Sequence, residues 1–265
     1  MTQVASQTAN EAVLTHLENG VFTITMNRPE SLNSANTAML RGMQSALSSA
    51  ERDENVRAIV VTGAGRGFCS GADLKEHGTG INFKEHLDHT FNPVVLKMRT
   101  LEKPVICAVN GIAAGAGASI ALAGDIRVWS SDASFMEAFS KIALIPDAGS
   151  TWLLPQLVGY HRAFDLCVHA EKVGPDDALR MGLCERVYPA EEFHARVKAL
   201  SENLAAGPTK SFGLTKRAMN KNMTATFAEA LEYEGQIQDI AGASPDFREG
   251  VGAFLEKRQA KFSGK

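Results

Sequence analysis

The sequence predicts an α/β core followed by a helical C-terminal region. Three observations carry this. Short apolar runs of strand length occur at 58–62, 105–109 and 126–129, and glycine-rich turns or helical patterns separate them. Beyond about residue 190 the strand signals stop, and 191–206, 210–220, 227–240 and 247–260 all read as helices. The chain has 265 residues, 45% of them apolar, which is enough to fill a sizeable core. The division expected is therefore a core over 1–190 and a helical oligomerisation region over 191–265.

The elements follow in order. Residues 12–18 and 21–26 alternate apolar and polar around Asn19-Gly20, the signature of a two-residue hairpin. Asn36 or Thr37 can cap a helix reaching about Glu51, with Met39, Leu40, Met43 and Leu47 on one face. The strand at 58–62 runs into a glycine-rich loop over 63–71, and the strand at 105–109 into a second over 110–117. Ser244-Pro245-Asp246 is a good start for the last helix.

Composition excludes several classes. Net charge is −3 with both signs interspersed and no long basic run, so neither nucleic acid nor an anionic membrane is an expected partner. Residues 104–124 carry no charge, but Pro104, Asn110 and four glycines make them a buried strand, turn and small-residue helix, not a span. The four cysteines form no CxxC pair and the seven histidines no HxxxH, so no metal is expected. Arg28 is the first Lys or Arg, so the basic region of a signal peptide and an Arg-rich transit pattern are both missing. Cytoplasmic location is the expectation.

The glycine loops carry the chemistry. The first has no following Lys-Ser/Thr, no GxGxxG spacing and no GxSxG centred on Ser70, so a phosphate loop, a dinucleotide site and a nucleophile elbow lack support. Two such loops, each after a parallel strand, can aim backbone N–H groups at one oxygen, with a helix N-terminus behind the second. That is an oxyanion hole suited to a thioester enolate. A plain turn is the competing reading of either loop alone.

Five segments then establish a resemblance. GRGFCSGADLKE (65–76), AVNGIAAGAGASIALAGDI (108–126) and IPDAGSTWLLPQLVG (145–159), with NRPESLNS (27–34) and EGVGAFLEKRQAKF (249–262), resemble the signature segments of the enoyl-CoA hydratase/isomerase (crotonase) superfamily. The resemblance covers nearly the whole chain, in order. It implies a spiral of ββα units with a helical C-terminal region, assembled as a homotrimer or a dimer of trimers. The implied substrate is an acyl-CoA, with no cofactor besides the coenzyme A that belongs to it. Carried over position by position, Ala72 and Ala116 supply the oxyanion N–H groups. Glu30, Ser31, Leu32, Ser70, Asp73 and Leu74 line the CoA channel. Phe254 and Lys257 approach the CoA nucleotide from a neighbouring subunit; their plain readings are a core contact and a solvated helix face.

The chain departs from the hydratase pattern at the catalytic pair. Hydration needs two acid/base groups, both Glu in typical hydratases. The matching positions here hold Ser119 and Phe139, which would line the acyl pocket instead. Asp147 stands where hydratases carry Gly, among apolar neighbours that would raise its pKa and make it a base. Its plain reading is an N-cap for a helix starting near Ala148. The missing Glu pair tips the choice to the base. One carboxylate can move one proton between two carbons, so the expected activity is isomerisation. PDAGSTWLLP and the tail resemble the branch that isomerises ring-epoxide acyl-CoA thioesters derived from phenylacetate and shifts enoyl-CoA double bonds.

Other residues take plain readings: Glu137 as a solvated position, Cys69 as packing, Trp129 and Trp152 as core. Three other functions compete. A true enoyl-CoA hydratase would need another acid, and a serine hydrolase or thioesterase would need a Ser-His pair. A non-catalytic acyl-CoA or RNA binder would, if it bound RNA, show a basic face.

Overall fold

The computed structural model describes residues 12–77 and 80–265. Strands β1 (Val13–Glu18) and β2 (Val21–Met26) form the expected hairpin, in register Val13 opposite Met26. Its turn residues Asn19 and Gly20 both have positive φ, 50° and 79°, as a primed two-residue turn requires. Helix α1 (Thr37–Arg52) follows, capped by Asn36, whose side chain accepts from the Met39 N–H at 2.9 Å.

The chain then passes between two sheets. In order come β3 (Ala58–Gly63), β4 (Gly67–Cys69), α2 (Leu74–His77), α3 (Phe83–His89), α4 (Phe91–Thr100), β5 (Val105–Val109), β6 (Ile112–Ala114), α5 (Ala116–Leu122), β7 (Ile126–Ser130) and β8 (Ser134–Met136). Helices α6 (Ser150–Val158), α7 (Tyr160–His169) and α8 (Pro175–Met181) lead to β9 (Arg186–Tyr188). One sheet has the order β1-β2-β3-β5-β7-β9, antiparallel only at the hairpin; the other is β4-β6-β8, all parallel. Each odd strand from β3 to β7 thus hands the chain to a short strand of the second sheet, which is the spiral the resemblance implies. The turns that enter β4 and β6 pack closely against one another. A Cβ on Gly111 would lie 2.1 Å from the Arg66 carbonyl oxygen, so only glycine fits there.

The period of two in β3 divides its residues between two cores. Ile59 and Val61 face inward with Val109, Phe68, Trp129 and Phe135. Ala58 and Val60 face outward with Ile106, Ala108 and Val128, and are covered by Phe193 and Val197 of α9 (Phe193–Ala205). The remaining helices are α10 (Thr209–Asn222), α11 (Phe227–Gly242) and α12 (Pro245–Glu256). The charge-free stretch 104–124 is β5, β6 and α5, and among the described residues no helix is long and apolar enough to cross a membrane.

Two expectations need correction. The last helix ends at Glu256, not near Ala260. Lys257 takes φ 54°, and the N–H groups of Lys257 and Arg258 turn back to the carbonyls of Phe254 and Ala253 at 3.2 and 3.0 Å. The tail then folds onto buried Asp246, whose carboxylate accepts from Ser263 N at 2.7 Å and Gly264 N at 2.7 Å. Tertiary hydrogen bonds thus outcompete continuation of the helix. Trp152, expected in the core, is 47% exposed, because α6 turns Leu153 and Leu154 inward instead. Trp129 is buried as expected.

Candidate active site

The first wall of the site is built by Asn33. Pro29–Ser31 form a single 3-10 turn, and Leu32 and Asn33 follow in the left-handed region at φ 52° and 58°. The fully buried Asn33 amide donates to the carbonyls of Ala64 at 2.9 Å and Gly67 at 2.7 Å, and its oxygen accepts from Arg28 N at 2.8 Å. This holds 30–32 against the β4 loop. Ser70 N donates to the Leu32 carbonyl at 3.0 Å and Ser70 Oγ to the Ser31 carbonyl at 3.0 Å. Arg28 pairs with Asp73 at 2.8 Å and holds its carboxyl below the usual range. Glu30, Ser31, Leu32, Ser70, Asp73 and Leu74 therefore form one partly exposed edge, Glu30 and Leu74 being the most open. Replacing Asn33 by Ala removes the partner of the Arg28 N–H and of the Ala64 carbonyl and leaves the Gly67 carbonyl with Asn110 Nδ2 alone, at 3.2 Å. Asn33→Ala is expected to lower unfolding stability by about 2–4 kcal/mol, read from urea denaturation.

The second feature is a pair of free backbone donors. Ala72 bridges Ala35 in parallel: Ala35 N donates to the Gly71 carbonyl at 2.7 Å, and Asp73 N to the Ala35 carbonyl at 2.9 Å. The bridge consumes the groups on either side of Ala72 and turns the Ala72 N–H the other way. Ala116 is the first residue of α5, so its N–H has no intrahelical acceptor. Among the described residues neither N–H is paired within the protein. Each follows a glycine with positive φ, Gly71 at 107° and Gly115 at 52°. The two segments pack closely: a Cβ on Gly71 would stand 3.8 Å from the Ala116 nitrogen, and one on Gly117 only 2.1 Å from the Cys69 carbonyl oxygen.

The third feature is Asp147. It does not cap a helix. Helix α6 begins at Ser150, after two left-handed residues, Ala148 at φ 48° and Gly149 at 89°. The Asp147 carbonyl, not its side chain, accepts from Ser150 N at 3.0 Å and from Ser119 Oγ at 2.9 Å. The carboxyl is left for other work. Its Oδ1 is buried without a partner, and desolvation pushes its pKa up to about 6. Ser119, one turn below Ala116 on α5, thus fastens the carboxylate loop to the helix that carries a free N–H. Phe139 is buried in the 3-10 segment Ala138–Ile142.

Glu137 corrects a reading. It is 1% exposed, not solvated, and lies within reach of the Asp147 charge. Its Oε1 lies 2.9 Å from Ser150 Oγ, and burial first, then Asp147, push its pKa up to about 7. One sequence signal pointed to it: Glu137 is the single charged residue between Asp132 and Lys141, amid Phe135, Met136, Ala138 and Phe139. Ser150 carried no signal, since its role depends on the turn at Ala148-Gly149. Cys69 is fully buried and its thiol is pushed up to about 11, as a packing residue would be.

Phe254 and Lys257 stand apart from these residues, at the end of α12. Phe254 is 82% exposed, not a core contact, and shares α12 with exposed Phe247, Val251 and Leu255. On α11 Phe227 and Leu231 are exposed while Ile237 is buried.

Nearly the whole chain is similar to known proteins. The family model described as enoyl-CoA hydratase/isomerase matches residues 16–265. The chain is 44% identical to 1,2-epoxyphenylacetyl-CoA isomerase of Escherichia coli (strain K12) over 260 residues, covering 96% of this chain and 99% of that protein. It is 30% identical to trans-2-decenoyl-(acyl-carrier-protein) isomerase of Streptococcus mutans over 258 residues, covering 96% and 98%. The structure of an enoyl-CoA hydratase from Bacillus anthracis superposes with a TM-score of 0.89 at 30% identity, covering 100% of this chain and 99% of that one. Two isomerases thus resemble this chain in sequence and a hydratase in backbone, and the chain belongs to the enoyl-CoA hydratase/isomerase family.

Proposed function

We propose that this protein is an acyl-CoA isomerase that moves one proton through a thioester enolate. The observation that carries this is Asp147: a carboxylate spared from capping, raised to about 6, on a loop fastened to α5, while the hydratase acid positions hold Ser119 and Phe139. The N–H groups of Ala72 and Ala116 hold the thioester oxygen. Asp147 takes a proton from C2 of a 3-enoyl thioester, and the electron pair moves onto that oxygen. The dienolate then accepts a proton at C4 from the Asp147 carboxylic acid, whose proton exchanges with solvent, which yields the conjugated 2-enoyl thioester and restores Asp147. No atom is gained or lost, and no cofactor is required beyond the coenzyme A of the substrate. Identity to the Escherichia coli enzyme supports an aromatic-derived ring epoxide as a substrate, since opening that ring also proceeds from an enolate. The edge formed by Glu30, Ser31, Leu32, Ser70, Asp73 and Leu74 carries the CoA chain.

Hydration would need a second group to hold water beside the β-carbon. A 3-enoyl-CoA should therefore be converted rapidly, with solvent deuterium entering a transferred position and no oxygen added. Crotonyl-CoA should be hydrated slowly or not at all. Rapid formation of 3-hydroxybutyryl-CoA would restore the hydratase reading.

The exposed apolar residues of α12, with Phe227 and Leu231 of α11, support a homotrimer or a dimer of trimers, with Phe254 and Lys257 reaching a neighbour's CoA nucleotide. Light scattering at working concentration is expected to give three or six times the 28.4 kDa chain mass. A monomer would count against the assembly.

A further inference from the structure

Three oxygen–oxygen contacts run from Glu137 to the backbone of Asp147. Glu137 Oε1 lies 2.9 Å from Ser150 Oγ, Ser150 Oγ 3.0 Å from Ser119 Oγ, and Ser119 Oγ 2.9 Å from the Asp147 carbonyl oxygen. Taken as hydrogen bonds, the three contacts need three protons, and a contact without one sets two oxygen lone pairs against each other at van der Waals distance. The serines bring one proton each, and a carbonyl brings none. The other acceptor near Ser119, the Gly115 carbonyl at 3.4 Å, could only use that proton, not add one. Three links with two hydroxyl protons leave one source for the third.

We propose that Glu137 is a protonated carboxylic acid in the resting enzyme, donating to Ser150, which donates to Ser119, which donates to the Asp147 carbonyl, so that Glu137 positions the base.

Two further observations agree. Glu137 Oε2 is buried without a partner, a modest cost for a neutral acid and a large one for a carboxylate. The titratable groups that act on Glu137 are Asp147 on the loop before α6 and Cys167 on α7, and among the described residues no cation offsets a charge there. Glu137 touches no substrate in this scheme. It keeps the site at one negative charge while holding the left-handed turn that presents Asp147. Loss of its proton would break one link and set a second negative charge beside the base.

The proposal rests on the reading of Asp147 as the base, and the test separates the two. Glu137→Gln supplies an N–H to Ser150 with no ionisation and is expected to keep kcat close to the wild-type value. Glu137→Ala removes the donor and should lower kcat about tenfold or more with little change in KM, since the loss falls on a buried network. In protein carrying 13C-carboxyl glutamate, the resonance absent from Glu137→Gln should titrate well above the ordinary midpoint of about 4.3. A Glu137→Gln protein as impaired as Glu137→Ala, or an ordinary midpoint for that resonance, overturns the proposal. Should Glu137→Ala not fold, the Gln variant and the titration decide. An active Asp147→Asn protein beside an elevated Glu137 midpoint would instead refute the base and leave the donor chain standing.

Discussion

Asp147→Asn is expected to lower isomerase turnover by about 10²-fold or more, the range lost with a positioned acid–base group. Asn keeps the shape, the backbone carbonyl that Ser119 and Ser150 grip, and the left-handed turn at Ala148-Gly149. Only the proton-accepting oxygen is removed, so the melting temperature should change little. The pH dependence has a definite sign. A base works ionised, and the Asp147 pKa is raised to about 6. In the wild type kcat/KM should therefore fall as pH drops through about 6. The residual activity of Asp147→Asn should lack that limb. Wild-type turnover in the variant, or an acid limb that survives in it, would remove Asp147 from the mechanism.

The second large effect concerns a group no ordinary side-chain change can reach. Ala116→Pro deletes the N–H of the first residue of α5, the one helical position where proline is readily accommodated. The fold should survive, because among the described residues the deleted donor pairs with nothing. Turnover should drop by about 10²–10³-fold, as for loss of one oxyanion donor. A bound acyl-CoA structure checks the geometry directly: the thioester oxygen should lie within hydrogen-bond reach of both the Ala72 and Ala116 nitrogens. An oxygen beyond reach of both would refute the oxyanion hole whatever the kinetics.

Glu137 alters how the site's carboxylates are counted. Sequence position singled out one carboxylate, and the structure brings in a second, buried behind it. That does not make the pair of a hydratase. Such a pair must hold water on one face of the substrate with at least one charged oxygen. Here the second acid is 1% exposed and bound to Ser150. Two carboxyls in one site with pKa values near 6 and 7 favour ionisation of one at a time.

Much of the fold was legible because its signals are local. The hairpin depends on two residues that tolerate positive φ, α1 on an Asn cap and an apolar stripe, and the last helix on Ser244-Pro245. Each contact lies within a few residues in sequence, so periodicity and turn chemistry suffice. Strands β4, β6 and β8 were not legible as strands. Each has only three residues, too few to show a period, and each is a strand only because its neighbours in space, far apart in sequence, complete the ladder. The first two read as glycine-rich turns until the resemblance implied ββα units, and 134–136 gave no strand signal.

The site divides along the same line. The sequence by itself determined which groups are available: the glycines that free two N–H groups, a carboxylate at position 147, and Ser119 and Phe139 where two Glu would serve hydration. Tertiary structure alone decided what those groups are. The Asp147 side chain is spared from capping because Ala148 and Gly149 both turn left-handed and move the helix start to Ser150. Glu137 is buried, Trp152 is exposed, and the tail leaves its helix for Asp246, because each outcome depends on segments brought together only by folding. Burial and charge act through space, and a carboxyl's pKa depends on water excluded by residues distant in sequence, which no local pattern records.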